Sequence, residues 1–380
     1  MKKIIALFAA LAPALALLAQ TEEELKTLAD LGEAKLSDSR SSSLIVFGDT
    51  QTYTQFAVNQ PILDMMAEWT VANRKKLNIK GVLCTGDLVQ YNGMVRGNHK
   101  ATDQTNSQMW RAVRRAFGKF DNLVPCVLAT GNHDYGHRWS ETDQTYFPQY
   151  FDSSSNKLTF ESIVETAPNR DNIHTLENAA YTLDLGGEWG TILVIALEFK
   201  PRMGILKWAK SVLSREEFAN TRAVILTHHF IESNAKLSTR KGYKREGCSP
   251  AEIWEHLISK CPNVAMTVSG HVCSDTSFAA SSASNTFTND AGGKVFSMMF
   301  NPQRLGGGFT GNGGDGWLRI LEFMPDGKTV KASTYSPLFG ISPLTKKISW
   351  RTAPCDMFEF TLDTPRPFPK EEKAKKEKKN

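Results

Sequence analysis

Short apolar runs alternate along the chain with longer amphipathic stretches, the pattern of sheets covered by helices. "SLIVFGD" (43–49) predicts a first strand. From about Asn59 a helix is predicted, with Pro61 in its first turn and Ile62, Met65, Met66 and Trp69 on one face. "KGVLCTGD" (80–87) predicts a second strand, residues 106–117 a helix, and "NLVPCVLATGN" (122–132) a third strand. Residues 135–178 are polar, aromatic and irregular, and predict a long insertion over the rim. "AAYTLDLGGEWGTILVIALEF" (179–199) predicts a hairpin turning at Gly186 and Gly187. A helix near 203–219, a strand at 222–229, a helix at about 250–260 capped by Ser249 and a strand at 263–271 follow. "KVFSMMFNPQ", "WLRILEF" and "TVKASTYSP" predict consecutive antiparallel strands, with no internal repeat and no linker before about 340.

Composition adds bounds at the two ends. The chain has 380 residues, 41% of them hydrophobic, enough for one large domain or two small ones. Residues 1–20 place Lys2 and Lys3 before an uncharged run, Ile4 to Ala19, then small residues, the order of a secretory signal. The run is shorter than the roughly 20 residues of a spanning helix, so the expectation is an exported chain, periplasmic or extracellular, with no membrane span after signal removal. The formal charge of +5 is carried by Lys2, Lys3 and a tail (366–380) holding seven Lys/Arg against three Glu, which leaves the body at about −1. A near-neutral body gives no electrostatic footprint for nucleic acid, and none is expected as a partner. The domain is placed at 40–340, with 341–380 as an extension ending in a disordered Lys-rich tail.

Five apolar runs end alike, with Asp, His or Asn where strand gives way to loop: Asp49 and Gln51, Asp87, Asn132 with His133 and Asp134, His228 with His229, and His271 with Cys273. Loops at the ends of α/β strands gather in one crevice, so these groups converge although the sequence scatters them. The chemistry they fit is a site for two divalent cations, one carboxylate such as Asp87 bridging them. Glycine precedes four of the groups (Gly48, Gly86, Gly131, Gly270), where the backbone must turn sharply and side chains come close. A second Gly-Asn-His, in "RGNHK" (96–100), follows a polar stretch with no acid after it, and His99 is read as a surface residue.

On these motifs, "FGDTQ", "TGD", "TGNHD", "THH" and "SGHVC", the chain resembles the calcineurin-like metallophosphoesterase superfamily over about residues 43–335. The resemblance implies an α/β fold: a four-layer αββα sandwich of two mixed β-sheets flanked by helices. It implies a first metal on Asp49, Gln51 and Asp87, with Asp87 bridging to a second metal completed by Asn132, His228 and His271. It also implies His133 as the acid that protonates the leaving alkoxide, Asp134 orienting its imidazole, and a metal-bridging hydroxide as nucleophile. Asn132, His133 and His229 would face the substrate.

Two positions depart from the family's pattern, both on the first metal. Gln51 stands where His is usual, and Cys273 where the last His should be. Gln keeps an oxygen donor suited to Mn or Mg, whereas a thiolate favours Zn or Fe. Cys273 is read either as a ligand or as a free or paired thiol, for instance with Cys248, and Asp275 is an alternative donor. Cys84 and Cys126 read as buried small hydrophobes. The expected activity is hydrolysis of phosphate monoesters on a small molecule or a phosphoprotein. The alternatives are a phosphodiesterase, or a non-catalytic binder with a degraded first site. Arg240, Lys241, Lys244 and Arg245 in the loop 231–250 are candidates for a second phosphate.

Overall fold

In this computed structural model, residues 31–368 are described except 96 and 98–100. The predicted leader, the lysines from 370 onward and His99 lie outside them. In chain order the strands are β1 (Ser42–Phe47), β2 (Ile79–Cys84), β3 (Cys126–Leu128), β4 (Ile163–Pro168), β5 (His174–Gly186), β6 (Gly190–Ala196) and β7 (Ala223–Leu226). There follow β8 (Val264–Ser269), β9 (Ser282–Thr288), β10 (Lys294–Phe300), β11 (Leu318–Phe323), β12 (Thr329–Tyr335), β13 (Trp350–Arg351) and β14 (Phe358–Thr361). The helices that matter for the site are α1 (Gln51–Gln55), α2 (Gln60–Asn73), α3 (Asn106–Phe117), α4 (Met203–Leu213) and α5 (Pro250–His256).

Two seven-stranded sheets stack face to face, one ordered β13-β12-β11-β1-β2-β3 with β14 also on β12, the other β4-β5-β6-β7-β8-β10-β9. Both are mixed: β1, β2 and β3 run parallel while β11 joins β1 antiparallel. In the second sheet β6, β7, β8 and β10 run parallel, flanked by antiparallel partners. Period-two alternation explains why each strand can be sandwiched. Along β6, Ile192, Val194 and Ala196 face the other sheet, while Leu193 and Ile195 join a second cluster beneath α4 and α5. Ile205, Leu206, Ala209, Val212 and Leu213 form the buried stripe of α4, at helical spacing. Ser249 caps α5 as expected, in a reciprocal box with Glu252. On the first sheet Phe47 meets Phe117 of α3 edge-on, with ring centroids 5.4 Å apart. Between the sheets, Gly81 leaves room for Leu183, whose Cδ1 would lie 2.9 Å from an added Cβ. The predicted αββα sandwich is therefore the fold.

Several elements differ from expectation. The third strand is only three residues long, because Pro125 supplies no N–H to a ladder; Cys126, at its start, is partly buried, whereas Cys84 is fully buried. The insertion 135–178 is not irregular throughout: its end forms β4, and the hairpin strand β5 begins at His174. The polar edge strand β9 and the short helix α1 carry no apolar run and were not anticipated. Beyond residue 340, β13 and β14 pair with β12, and Phe360 stacks on Phe296 of the other sheet with centroids 3.7 Å apart. Among the described residues no helix is long and apolar enough to cross a membrane.

Ile225, 0% exposed beneath α4, tests the packing of the outer layer. Ile225→Ala is expected to lower stability by about 2–5 kcal/mol, read from urea unfolding.

Candidate metal centre

Three strands of each sheet deliver the chemistry. Asp49, Asp87 and Asn132 follow the C-terminal ends of β1, β2 and β3; His228, His271 and Asn301 follow those of β7, β8 and β10. All are parallel strands, so their carboxyl ends open onto one edge of the sandwich, where α/β sheets place ligands.

The centre is His228, fully buried, whose Nδ1 donates to the Thr85 carbonyl oxygen at 2.9 Å. Its Nε2 lies 3.1 Å from Asn132 Oδ1, 3.0 Å from His271 Nδ1 and 3.3 Å from Asp87 Oδ2. One proton at most can sit on Nε2, and it cannot serve three acceptors at once. A divalent cation bound by all four atoms satisfies them together. Asp87, His228 and His271 form the group among the described residues in which three such side chains offer mutually close donor atoms. The second of the two predicted metal positions therefore fits a cation. Without one, the site takes a proton: burial alone would lower the His228 pKa, but Asp87 and Asp49 outweigh it and push it up to about 9. Burial, with the His229 and His228 charges, holds His271 well below its ordinary value, so its ring is neutral and its lone pair available.

The backbone is bent to achieve this. Asp87 and His271 adopt left-handed conformations, with φ of +47° and +67°. Their preceding glycines serve different needs: Gly86 turns with φ +99°, while a Cβ on Gly270 would lie 2.1 Å from Asp49 Oδ1 and 2.4 Å from Thr85 Oγ1. The sharp turns thus belong partly to the ligand residues, and close approach is what excludes a side chain at Gly270 and Gly131.

The first predicted metal position is not assembled. Asp49 is buried and encased by donors: Thr85 Oγ1 at 2.8 Å on Oδ1, and Asn301 Nδ2 at 2.6 Å, the His271 backbone N–H at 3.0 Å and Gln303 Nε2 at 3.2 Å on Oδ2. Burial pushes its carboxyl up, to about 7, against the His228 charge. Cys273 lines the cleft but stays outside the ligand group, its thiol pushed up to about 12 by burial and by Asp49 nearby. It is not disulfide-bonded: all six cysteines are free, including Cys248. Gln51, the first residue of α1, is buried and lines the same cleft, its Oε1 having no partner. That single neutral oxygen fits a cation, a water or a substrate group. Asp275 does not substitute as a ligand either; it pairs with Arg304 at 2.9 Å.

His133 borders the cleft, which encloses about 260 Å³. Its Nδ1 is 2.7 Å from the Gln90 carbonyl oxygen, and its backbone N–H donates to Asp87 Oδ1 at 2.8 Å. Asp134 does not orient this imidazole, contrary to expectation. Its carboxylate accepts from the backbone N–H groups of Leu88 at 2.8 Å, Val89 at 3.1 Å and Gly131 at 2.8 Å, clamping the two loops that carry Asp87 and Asn132. His229 also departs from its predicted place on the substrate. Its ring packs 4.3 Å from that of His271, and its Nε2 lies 3.3 Å from Glu232 Oε1.

Three of the four basic residues of loop 231–250 are paired with acids instead of gathering for a phosphate. Arg245 is buried, held by Glu198 at 3.2 Å and Asp143 at 2.6 Å, while Arg240 and Lys241 pair with Glu232 and Glu252. The loop contributes Tyr243 instead, its hydroxyl 3.2 Å from His271 Nε2. An accepting hydroxyl there keeps the proton of His271 on Nε2 and leaves Nδ1 bare. Asn301 and Gln303 had a legible signal, since "FNPQ" ends an apolar run as the other motifs do; Tyr243, in an aperiodic loop, had none.

The chain belongs to the calcineurin-like phosphoesterase family, whose model matches residues 42–275. The chemistry of that family is metal-dependent hydrolysis of phosphate esters. A curated relative, the uncharacterized protein YvnB of Bacillus subtilis (strain 168), is 28% identical over 305 residues, covering 78% of this chain. The chain spans about a fifth (20%) of that relative's length. Among solved structures, "GAP50 the anchor in the inner membrane complex of Plasmodium" is matched with a TM-score of 0.46 over 86% of this chain and 90% of that one. PhoD follows with 0.45 over 89% and 73%, and the 5'-nucleotidase of Candida albicans SC5314 with 0.40 over 76% and 49%. At 12% identity these are distant likenesses of shape and carry no functional weight.

Two outcomes test the centre. Because His228 is protonated at pH 7 when no cation is bound, loading with Mn or Zn should release about one proton per ion, measured by calorimetry in buffers of different ionisation enthalpy; no release contradicts the assignment. Gly270→Ala should separate His271 from Asp49 and weaken cation affinity roughly 10–100-fold, measured by competition with a chelating dye.

Proposed function

We propose that this chain hydrolyses phosphate monoesters in the cleft beside His228, with phosphodiesters as the next class. The observation that carries this reading is the setting of His133. The Gln90 carbonyl takes its Nδ1–H, which leaves Nε2 as the nitrogen that exchanges a proton with the cleft. When water attacks phosphorus and the bond to the leaving oxygen breaks, a proton on that Nε2 passes to the departing alkoxide, and anchorage of His133 to Asp87 through the backbone N–H ties the acid to the ligand set. A divalent cation held by Asp87, Asn132, His228 and His271 supplies positive charge against the phosphoryl oxygens. Asn132 orients the cleft side of that group, fixed through its own carbonyl by Ser140 Oγ at 2.8 Å. Trp139, 51% exposed at the mouth, is placed to meet the organic half of a substrate.

A binding protein that retains the fold without turnover is the second reading, favoured by the unassembled first position. The two separate on His133, because a binder has no use for a proton donor facing the cleft. Aryl phosphate and aryl phosphodiester hydrolysis would be assayed with Mn, Zn, Fe and Mg in turn. The hydrolase reading expects turnover with at least one ion and a loss of about 10²–10⁴-fold in kcat for His133→Asn, with cation affinity unchanged. An inactive wild type with every ion would establish the binder.

A further inference from the structure

We infer that the cleft works with one divalent cation and that the guanidinium of Arg304 supplies the second positive charge. This rests on the hydrolase reading and concerns which second charge faces the phosphoryl group.

The family's first metal position decides how many cations the cleft holds. A cation there would need Asp49, yet both Asp49 oxygens are taken by hydrogen-bond donors built into the fold. Those donors are fixed. Asn301 is 0% exposed and Gln303 3%. Asn301 Oδ1 accepts from the Gln303 backbone N–H at 3.4 Å, which directs its Nδ2 toward Asp49. Asp49 therefore acts as an internal anchor that holds the His271 backbone, and it is not among the residues lining the cleft. Cys273, the other departure from pattern, lines the cleft but is not one of the clustered ligand side chains. What remains is one neutral oxygen of Gln51 and a share of Asp87, too little charge to hold a second divalent ion out of water.

Arg304 occupies the same wall. It lines the cleft with Gln51, Cys273 and Gln303. Asp275 fixes it, Oδ1 lying 2.9 Å from Nε, and the ring of Phe309 lies beneath the guanidinium at 5.8 Å. Paired with Asp275 and backed by Phe309, the group offers a planar fork of N–H donors that matches two phosphoryl oxygens at once. The cleft then presents both a metal charge and a permanent, non-exchangeable guanidinium charge. This accounts together for three features that a two-metal site leaves unexplained: the amide cage around Asp49, glutamine at 51 and cysteine at 273.

The test uses the full chain, stripped of metal and titrated with Mn or Zn. The expected stoichiometry is one tight equivalent by elemental analysis after desalting, in the wild type and in Arg304→Gln alike. Affinity of the Mn-loaded protein for inorganic phosphate, read by calorimetry, should fall roughly tenfold to a hundredfold in Arg304→Gln. Arg304→Lys should recover part of it, as a point charge without the fork. Two tight equivalents in the wild type would overturn the inference, as would unchanged phosphate affinity in a folded Arg304→Gln. A wild type that binds no cation would fail both this inference and the hydrolase reading, whereas a wild type that turns over with two ions bound would fail this one alone.

Discussion

Four buried donor atoms, Asp87 Oδ2, Asn132 Oδ1, His228 Nε2 and His271 Nδ1, point at one another with too few protons to go round. Taking such groups out of water without full pairing costs more than a typical hydrogen bond returns. The surrounding fold is arranged to keep them there. Two residues are held in left-handed backbone conformations, a glycine is replaced by nothing larger without collision, and the Asp134 carboxylate clamps the loops behind. Strain of this kind persists only where the rest of the structure over-determines it.

The two sheets make that over-determination possible. Each contributes parallel strands whose carboxyl ends reach the same edge, so that neither sheet alone holds the donor set: Asp87 and Asn132 come from one, His228 and His271 from the other. Packing between the sheets thus fixes the distance between ligands. The outer helices matter to the site indirectly, by covering the strands on their far faces. Loop 231–250 adds a third component, with Arg245 buried against Glu198 and Asp143 and Tyr243 resting on His271.

Much of this was legible in the chain. Strand ends marked by Asp, Asn and His after apolar runs located all four donors, because burial of the strand and polarity of the ligand are both sequence properties. What escaped had other physics. Asp134 follows His133 directly, and adjacency suggested an orienting role, but its carboxylate points to three backbone N–H groups of neighbouring loops, a contact that sequence spacing does not encode. His229 beside His228 was misplaced for the opposite reason, since successive residues leaving a strand face opposite sides. Cys273 and Gln51 were visible as departures, yet their consequence depended on the amides of Asn301 and Gln303, whose position at a strand end was legible but whose aim at Asp49 was not. The edge strand β9, all polar outside, had no apolar signature to find.

The most direct test of the account is diffraction from crystals grown with Mn or Zn, recorded at the absorption edge of the ion. One strong anomalous peak is expected within about 2.0–2.3 Å of His228 Nε2 and His271 Nδ1, touching Asp87 and Asn132, with the Arg304 guanidinium lining the same cleft. No peak at His228, or a second of equal strength between Asp49 and Gln51, would contradict it.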